Sequence, residues 1–302
     1  MRVTLNSLIG AVSGSLQTNL QKLQNIQDEL SSGKKIDIPS DDPINSAKLV
    51  IFKTKQNQYT QYIKVIDESK SWLAVTENAI NQINDVLIEI RQACVESGNA
   101  SVPDSARGTI ILKLQQLKEE LIDNSNSKYM DKYIFAGLNT LEKPFIETGG
   151  VITYSGDTGT MLREISFGSN MEINFNGDAI FNMSGSSIPG DPNTFEMIDN
   201  LITCIQNGDI GTISNEIIGQ VDRAHENIVN IYSEIGSRVN RLDLTREQNE
   251  NNLLTITEMV SVIEDIDIAE AVMELKKAEI VYQNSLNVAG KILSMSLLDF
   301  LE

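Results

Sequence analysis

The sequence predicts a mainly α protein with a small β-rich inserted domain, in which paired N- and C-terminal segments form an elongated coiled-coil-like helical bundle. Three observations lead to this fold class. Apolar residues follow a heptad rhythm near both ends of the chain, aromatic residues make up only 5% of 302 residues, and glycines and β-prone runs cluster in one internal stretch. Sparse aromatics fit elongated helix packing better than one large globular centre.

The first element is a helix with one narrow apolar stripe. It is predicted to run from about residue 3 to residue 31 and to stop at Gly33, which suits the left-handed C-terminal cap. Polar Asn19 alone interrupts a spacing that alternates four and three. The stripe consists of Leu5, Ile9, Val12, Leu16, Leu23, Ile26 and Leu30. Such a stripe must be covered by another helix, so residues 1–42 are predicted to be an assembly helix and its connector.

Residues 43–136 are predicted to form a helical rod. Asp42 is suited to cap the next helix and Pro43 to occupy its first position. The longest seam of the chain follows and ends near Gly98, and a third helix is predicted to reach about Tyr133. The seam consists of Tyr59, Tyr62, Ile66, Leu73, Ile80, Ile83, Leu87, Ile90 and Cys94, with Ser69 and Thr76 filling two places.

Residues 137–192 are predicted to form the β-rich insertion. Residues 137–190 hold nine of the 19 glycines. Gly149-Gly150 lies between two β-prone runs and predicts a hairpin. Alternating apolar residues at 171, 173 and 175 predict a further strand, with a turn at Asn176-Gly177.

Helix is predicted to resume at Asp191-Pro192-Asn193-Thr194, giving a second rod over residues 193–264 and a C-terminal assembly helix over residues 265–302. The rod repeats the heptad seam with polar members at 246 and 249. Its apolar members are Ile228, Tyr232, Ile235, Val239, Leu242, Leu253, Ile256, Val260 and Ile263. The last helix carries the stripe Ile268, Val272, Leu275, Tyr282, Leu286, Ala289 and Leu293, and the chain closes on an apolar tail with Leu297 and Phe300.

The charge of the chain excludes two classes of partner. The formal net charge is −18, and residues 136–302 hold 9 Lys+Arg against 26 Asp+Glu. Because nucleic acids and anionic membrane surfaces would repel such a chain, neither is expected as a partner. The first residues lack a continuous apolar segment, so we expect no Sec signal peptide, and no apolar run reaches the ~18 residues of a membrane span.

No residue pattern indicates catalysis, a cofactor or a metal site, so we expect a protein that is not an enzyme. His225 is the only histidine and has no metal-ligand spacing to a cysteine, and Cys94 and Cys204 are interpreted as small buried side chains. Glu264, Asp265, Asp267 and Glu270 form the densest carboxylate cluster, but no glycine-bearing calcium loop surrounds them. We interpret that cluster as a solvated helix junction.

The terminal stripes allow two interpretations. Each could pack inside its own chain, as in a three- or four-helix bundle, or each could pack against other subunits. Their position at both ends of the chain favours packing between subunits. The predicted assembly interface consists of Leu5, Ile9, Val12, Leu16, Leu23, Ile26, Leu30, Tyr282, Leu286, Leu293, Leu297 and Phe300.

Several short motifs lie near the two ends of the chain and at the start of the predicted β-rich insertion. The run Leu30-Ser31-Ser32-Gly33-Lys34-Lys35-Ile36, followed by Pro39-Ser40-Asp41-Asp42-Pro43, is similar to the N-terminal signature of the bacterial flagellin-type family, in the form of the hook–filament junction branch. Tyr133-Ile134-Phe135-Ala136-Gly137 resembles the entry into the β-domain. Ile266-Asp267-Ile268-Ala269-Glu270-Ala271 and the ending Leu297-Leu298-Asp299-Phe300-Leu301 resemble the C-terminal motifs.

The resemblance implies a structural subunit of the bacterial flagellum, an adapter that joins the hook-side junction ring to the flagellin filament through its terminal helices. It implies as partners other copies of the chain, a neighbouring hook-associated protein, flagellin and a flagellar export chaperone. It also implies type III export and an extracellular location. Filament flagellin is the alternative within the family, and a secreted helical-stalk adhesin or enzyme is the alternative outside it.

Overall fold

The computed structural model describes residues 5–98 and 103–301, and the side chains within them except those of residues 5, 6, 8, 104, 105 and 292–301. The chain divides into two compact units. We call residues up to 58 together with those from 251 onward the terminal unit, and residues 59–250 the middle unit. Both boundaries fall inside long helices. No helix of the described ranges has an apolar stretch long enough to cross a membrane.

Local signals correctly predict the helix boundaries in the terminal unit. Helix α1 spans Leu5–Ser32 and ends at Gly33, whose φ of 73° is the left-handed conformation that glycine adopts without a Cβ clash. Helix α2 spans Pro43–Ser97. The Asp42 carboxylate accepts the backbone N–H groups of residues 44 and 45 at 3.1 and 3.0 Å, so Asp42 is the predicted cap.

The predicted seam of α2 forms the core of the middle unit. Its apolar members from Ile66 to Cys94 are buried, each at most 1% exposed. Ser69 and Thr76 are buried in the same row, and each hydroxyl donates to the backbone carbonyl four residues earlier. Because both hydroxyls are satisfied within the helix, they fill seam positions without leaving an unpaired polar group.

Helix α3 spans Asp104–Ser125 and ends before the predicted Tyr133. Residues 128–133 instead form the two short antiparallel strands β1 (Lys128–Tyr129) and β2 (Lys132–Tyr133). The prediction was wrong here because the Asn126 side chain competes with helical bonding. Its amide donates to the carbonyl of Ile122 and its oxygen accepts the N–H of Phe145 at 3.1 Å.

The β-rich region contains two further antiparallel hairpins. Strands β3 (Phe145–Thr148) and β4 (Val151–Tyr154) pair around Gly149-Gly150, where φ values of 63° and 86° confirm the predicted glycine turn. Strands β5 (Leu162–Ser166) and β6 (Ser169–Glu172) form the other pair. The two-residue turn predicted at Asn176-Gly177 was wrong.

Asn176 instead caps the short helix α4 (Gly177–Phe181), and its side-chain oxygen accepts the N–H of Ala179 at 2.8 Å. This helix joins a cluster of three buried rings, since Phe181 lies 5.0 Å from Phe145 and 5.1 Å from Phe195 between ring centroids. Gly177 permits the close approach, because a Cβ there would lie 2.4 Å from the Phe145 ring.

The remaining helices are α5 (Thr194–Asn207), the short α6 (Ile210–Thr212), a π-helical turn at Ile213–Ile217, α7 (Ile218–Glu264) and α8 (Ile268–Leu301). On α7, Ile228, Ile235 and Leu242 are buried as predicted. Tyr232 is 41% exposed, so its predicted seam position was wrong, and Ile231 is buried in its place. A straight helix turns once every 3.6 residues, so its buried face departs from a strict heptad.

Candidate assembly surface of the terminal helices

Helices α1 and α8 pack against each other inside one chain. Their packed faces differ in character. The α1 face carries mostly large aliphatic side chains, namely Ile9, Val12, Leu16, Asn19, Leu23, Ile26 and Leu30. The α8 face alternates small and large side chains, namely Ala271, Leu275, Ala278, Tyr282, Ser285 and Ala289. Small residues let helix backbones approach closely, so large α1 side chains fit over a shallow α8 surface.

A polar contact lies within the described part of this seam. The Asn19 amide Nδ2 donates to the Ser285 hydroxyl at 2.9 Å. The Ser285 hydroxyl in turn donates to the backbone carbonyl of Val281 at 2.8 Å. Both side chains are partly buried, and their hydrogen bonds run from one helix to the other and then into the helix backbone. The only polar member of the predicted N-terminal stripe therefore has a specific partner.

A backbone junction, which we call the elbow, ties the end of α1 to the segment between α7 and α8. The N–H of Lys35 donates to the carbonyl of Glu264 at 2.6 Å, and the N–H of Ile266 donates to the carbonyl of Gly33 at 3.2 Å. Lys34 and Asp265 form an isolated antiparallel bridge. The two terminal segments are thus joined by main-chain bonds, which do not depend on side-chain identity.

The Glu264 side chain adds charge to the elbow. Its carboxylate lies 2.8 Å from the Lys34 amine and 2.7 Å from the Lys53 amine, and the glutamate side chain is only 7% exposed. Burial raises the pKa of Glu264, but the hydrogen bonds and positive charge of the two lysines outweigh it, and the pKa lies below the ordinary value. Glu264, at the end of α7, therefore stays ionised and binds both Lys53 of α2 and Lys34 in the segment that follows α1.

The exposed flanks of α8 remain apolar beyond the seam. Val281 and Val288 lie seven residues apart on one flank, and Val272 and Leu286 lie on the other. These four side chains are between 43% and 51% exposed. A groove beside the first flank is lined by residues of both helices, Val12, Ser15, Val281, Asn284, Ser285 and Val288. A single pair of helices therefore leaves apolar surface on α8 in water.

The predicted interface residues fall into three groups. Six line the α1 side of the seam, namely Ile9, Val12, Leu16, Leu23, Ile26 and Leu30, and Tyr282 lines the α8 side. Leu286 lies outside the seam and is 47% exposed. The side chains of Leu5, Leu293, Leu297 and Phe300 lie outside the described part of the structure. That these residues join neighbouring subunits stays a prediction.

Two features of this surface were not predicted from the sequence. Ser285 continues the heptad row of the small residues Ala271 and Ala278, but nothing near it in the sequence indicates that its hydroxyl has a partner on α1. The salt bridges of Glu264 were also missed. The lysine partners lie more than 200 residues away along the chain, and only the folded elbow brings them together.

The carboxylate cluster of the elbow has structural partners. Asp267 caps α8, since its carboxylate accepts the N–H groups of Ala269 and Glu270 at 2.9 and 3.2 Å. Asp265 accepts the Ser261 hydroxyl. Glu264 is buried against lysines, so the interpretation of this member as solvated was wrong. Within the described residues, no group of three metal-ligating side chains is placed to hold an ion.

The cysteines offer no activated thiol. Burial raises the pKa of Cys94 to about 12, and burial also raises the pKa of Cys204. A thiol with a raised pKa holds little thiolate near neutral pH, and thiolate is the nucleophilic form.

Comparisons with known proteins agree with this architecture. The family model for the bacterial flagellin N-terminal helical region matches residues 4–140, and the model for the bacterial flagellin C-terminal helical region matches residues 218–301. The chain is 24% identical to flagellar hook-associated protein 3 of Escherichia coli (strain K12), over 83% of this chain and 86% of that protein.

It is 22% identical to flagellar hook-associated protein 3 of Salmonella typhimurium, over 96% of this chain and 98% of that protein. A solved flagellar hook-associated protein of Vibrio parahaemolyticus superposes with a TM-score of 0.68 at 22% identity, covering 74% of this chain and 99% of that one. Helical regions at both ends and a fold shared with hook-associated proteins lead to one conclusion. The chain belongs to the bacterial flagellin family and is similar along nearly its whole length to flagellar hook-associated protein 3.

Proposed function

We propose that this chain is the structural adapter that joins the hook-side junction ring to the flagellin filament, and that its copies assemble through the outer flanks of the α1–α8 pair. The observation that carries the proposal is the apolar surface that remains on α8 after α1 has covered its seam. Residues 1–42 and 265–302 are the assembly segments in this proposal, and residues 43–136, 137–192 and 193–264 form the rest of the subunit.

The apolar flanks of α8 would be more stable in contact with additional helices than in contact with water. Rows at a spacing of seven residues are the pattern that a neighbouring helix covers. Burying one valine or leucine side chain fully contributes about 1.5–3 kcal/mol relative to leaving it exposed. Val281 and Val288 on one side and Val272 and Leu286 on the other are each about half exposed, so helices from neighbouring copies on both sides would gain several such contributions.

The charge distribution supports contacts through the terminal unit. Residues 59–250 hold 14 Lys+Arg against 28 Asp+Glu, a net charge of −14. The rest of the chain holds 10 against 14, a net charge of −4. Like charges repel, so neighbouring copies meet at lower electrostatic cost through terminal helices than through middle units.

The full set of partners follows from the adapter role. Copies of the chain form a ring, a neighbouring hook-associated protein lies on the hook side, and flagellin lies on the filament side. The subunit leaves the cell through the flagellar type III channel and acts outside it. Before export, a chaperone covers the apolar C-terminal segment, because the same surface cannot face a chaperone and a neighbouring subunit at once.

The role is tested by deleting the gene in its own host. We expect deletion cells to build hooks, to lack attached filaments and to release flagellin into the medium, and we expect the wild-type gene to restore filaments. Electron microscopy of cells and immunoblots of the medium measure both outcomes. Deletion cells that keep attached filaments would contradict the adapter role.

The chaperone assignment is tested separately with purified proteins. We expect deletion of residues 285–302 to abolish binding of the cognate export chaperone in calorimetry while the middle unit stays folded. Fluorescence of the single tryptophan, Trp72, which is buried in the middle unit, reports that folding. Undiminished affinity of the truncated chain would place the chaperone site elsewhere.

A further inference from the structure

Among the side chains that the structure describes, the seam between α1 and α8 contains a hydrogen-bonded pair surrounded by aliphatic residues. Asn19 occupies a seam position of α1 where every neighbouring seam residue is aliphatic, and its amide donates to Ser285 of α8 at 2.9 Å. In coiled coils, a single buried polar residue reduces stability and fixes register, because every other register leaves it unpaired. Asn19 is the corresponding polar residue of this seam, and Ser285 is its partner.

Aliphatic packing alone discriminates poorly between registers here. The α8 positions that precede Ser285 at intervals of seven residues are Ala278 and Ala271, and the next position after it is Ile292. A slide of one heptad, about 10 Å, places Ala278 or Ile292 opposite Asn19. Neither residue has a polar side chain. Of these three registers, only the observed one pairs the Asn19 amide with a polar side chain of α8.

The elbow fixes only one end of the helix pair. Gly33 lies 14 residues after Asn19, or about 21 Å along α1. The main-chain bonds of the elbow therefore do not hold the outer halves together, although a slide of either continuous helix along its axis would also break the elbow. The polar contact lies in that outer half.

We propose that Asn19 and Ser285 are the register-determining pair of the terminal helices. When the outer halves of α1 and α8 pair, their hydrogen bond selects the register in which the elbow can also close. A register that buries the Asn19 amide without the Ser285 hydroxyl leaves the amide unpaired, which costs free energy. This inference goes beyond the adapter role and holds for any assembly of the chain.

Distances between spin labels test the register in the full-length chain. Ser15 of α1 and Asn284 of α8 are exposed and line the same groove, so Ser15→Cys and Asn284→Cys place one label on each helix. Cys204→Ala removes the partly exposed native thiol, and buried Cys94 is retained. We expect one narrow distance distribution in this background.

The doubly apolar variant Asn19→Leu with Ser285→Ala should add a second, separate distance population, because a slide of one heptad moves one label about 10 Å along the helix axis. The swapped variant Asn19→Ser with Ser285→Asn should restore the single population. Leu23→Ala is the matched control, because it weakens the same seam without touching the polar pair. It should lower thermal stability and leave the peak position unchanged.

A single unshifted distribution in the doubly apolar variant, or a broad distribution in the unsubstituted background, would overturn the proposal. A loss of thermal stability in the doubly apolar variant with an unchanged distance distribution would also overturn it, since that result describes a contact with a purely structural role.

Discussion

The strongest stability prediction concerns Glu264 at the elbow. Glu264→Gln keeps the shape of the side chain and removes its charge. The amines of Lys34 and Lys53, which lie 2.8 and 2.7 Å from the carboxylate, then face an uncharged amide instead of a carboxylate. Hydrogen bonds to charged groups contribute about 1.5–3 kcal/mol each when they are buried. The lysine side chains are 44% and 46% exposed and regain hydration, so a net loss of about 1–2 kcal/mol is expected.

Hydrogen exchange at the elbow measures this loss. The N–H groups of Lys35 and Ile266 are bonded across the elbow, and NMR resolves their exchange. A loss of about 1–2 kcal/mol accelerates their exchange by roughly 5- to 30-fold. Glu279→Gln is the control, because it removes an exposed salt bridge with Lys276 in the same unit, and its effect should stay within about twofold. Equal exchange rates in Glu264→Gln and wild type would show that the charge of Glu264 does not stabilise the elbow.

Three further predictions concern pH, packing and thiol chemistry. Folding lowers the pKa of Glu264, so its contribution to the stability of the elbow is fully present above the ordinary glutamate pKa and is lost as pH falls through the lowered value. Hydrogen exchange at the elbow, corrected for intrinsic rates, should therefore accelerate only in that acidic range. Gly177→Ala forces a Cβ against Phe145 and should destabilise the middle unit by about 1–3 kcal/mol in denaturant titrations, whereas Gly236→Ala, in a helix with open space, should not destabilise it. Cys94 should react with a thiol reagent at pH 8 only after unfolding, because burial raises its pKa to about 12.

Short-range signals in the sequence predicted much of the fold. Gly33 ends α1 and Asp42 with Pro43 begins α2, because caps depend on residues within one helical turn. The seam of α2 was predicted because its buried face is long and uninterrupted.

Predictions failed where distant residues decide the local structure. Asn126 ends α3 early, since its side-chain oxygen accepts a hydrogen bond from the N–H of Phe145. Asn176 caps α4, and the Phe181 ring of that helix packs into the aromatic cluster. The pairing of Asn19 with Ser285 is invisible to a search for apolar stripes, since its value comes from a partner 266 residues away.

We propose that the outer flank of α8 joins copies of the chain while the inner seam holds each chain together. Leu286 is 47% exposed and lies off the seam, so Leu286→Asp should leave the isolated protein unchanged in helical content and in elbow hydrogen exchange. In the proposed assembly, the same change places a charge in a buried contact between subunits and should abolish filament attachment in cells. Asn287→Asp adds the same charge to the neighbouring exposed position and should support normal filaments. Attached filaments in Leu286→Asp cells, counted by electron microscopy at wild-type frequency, would contradict the claim.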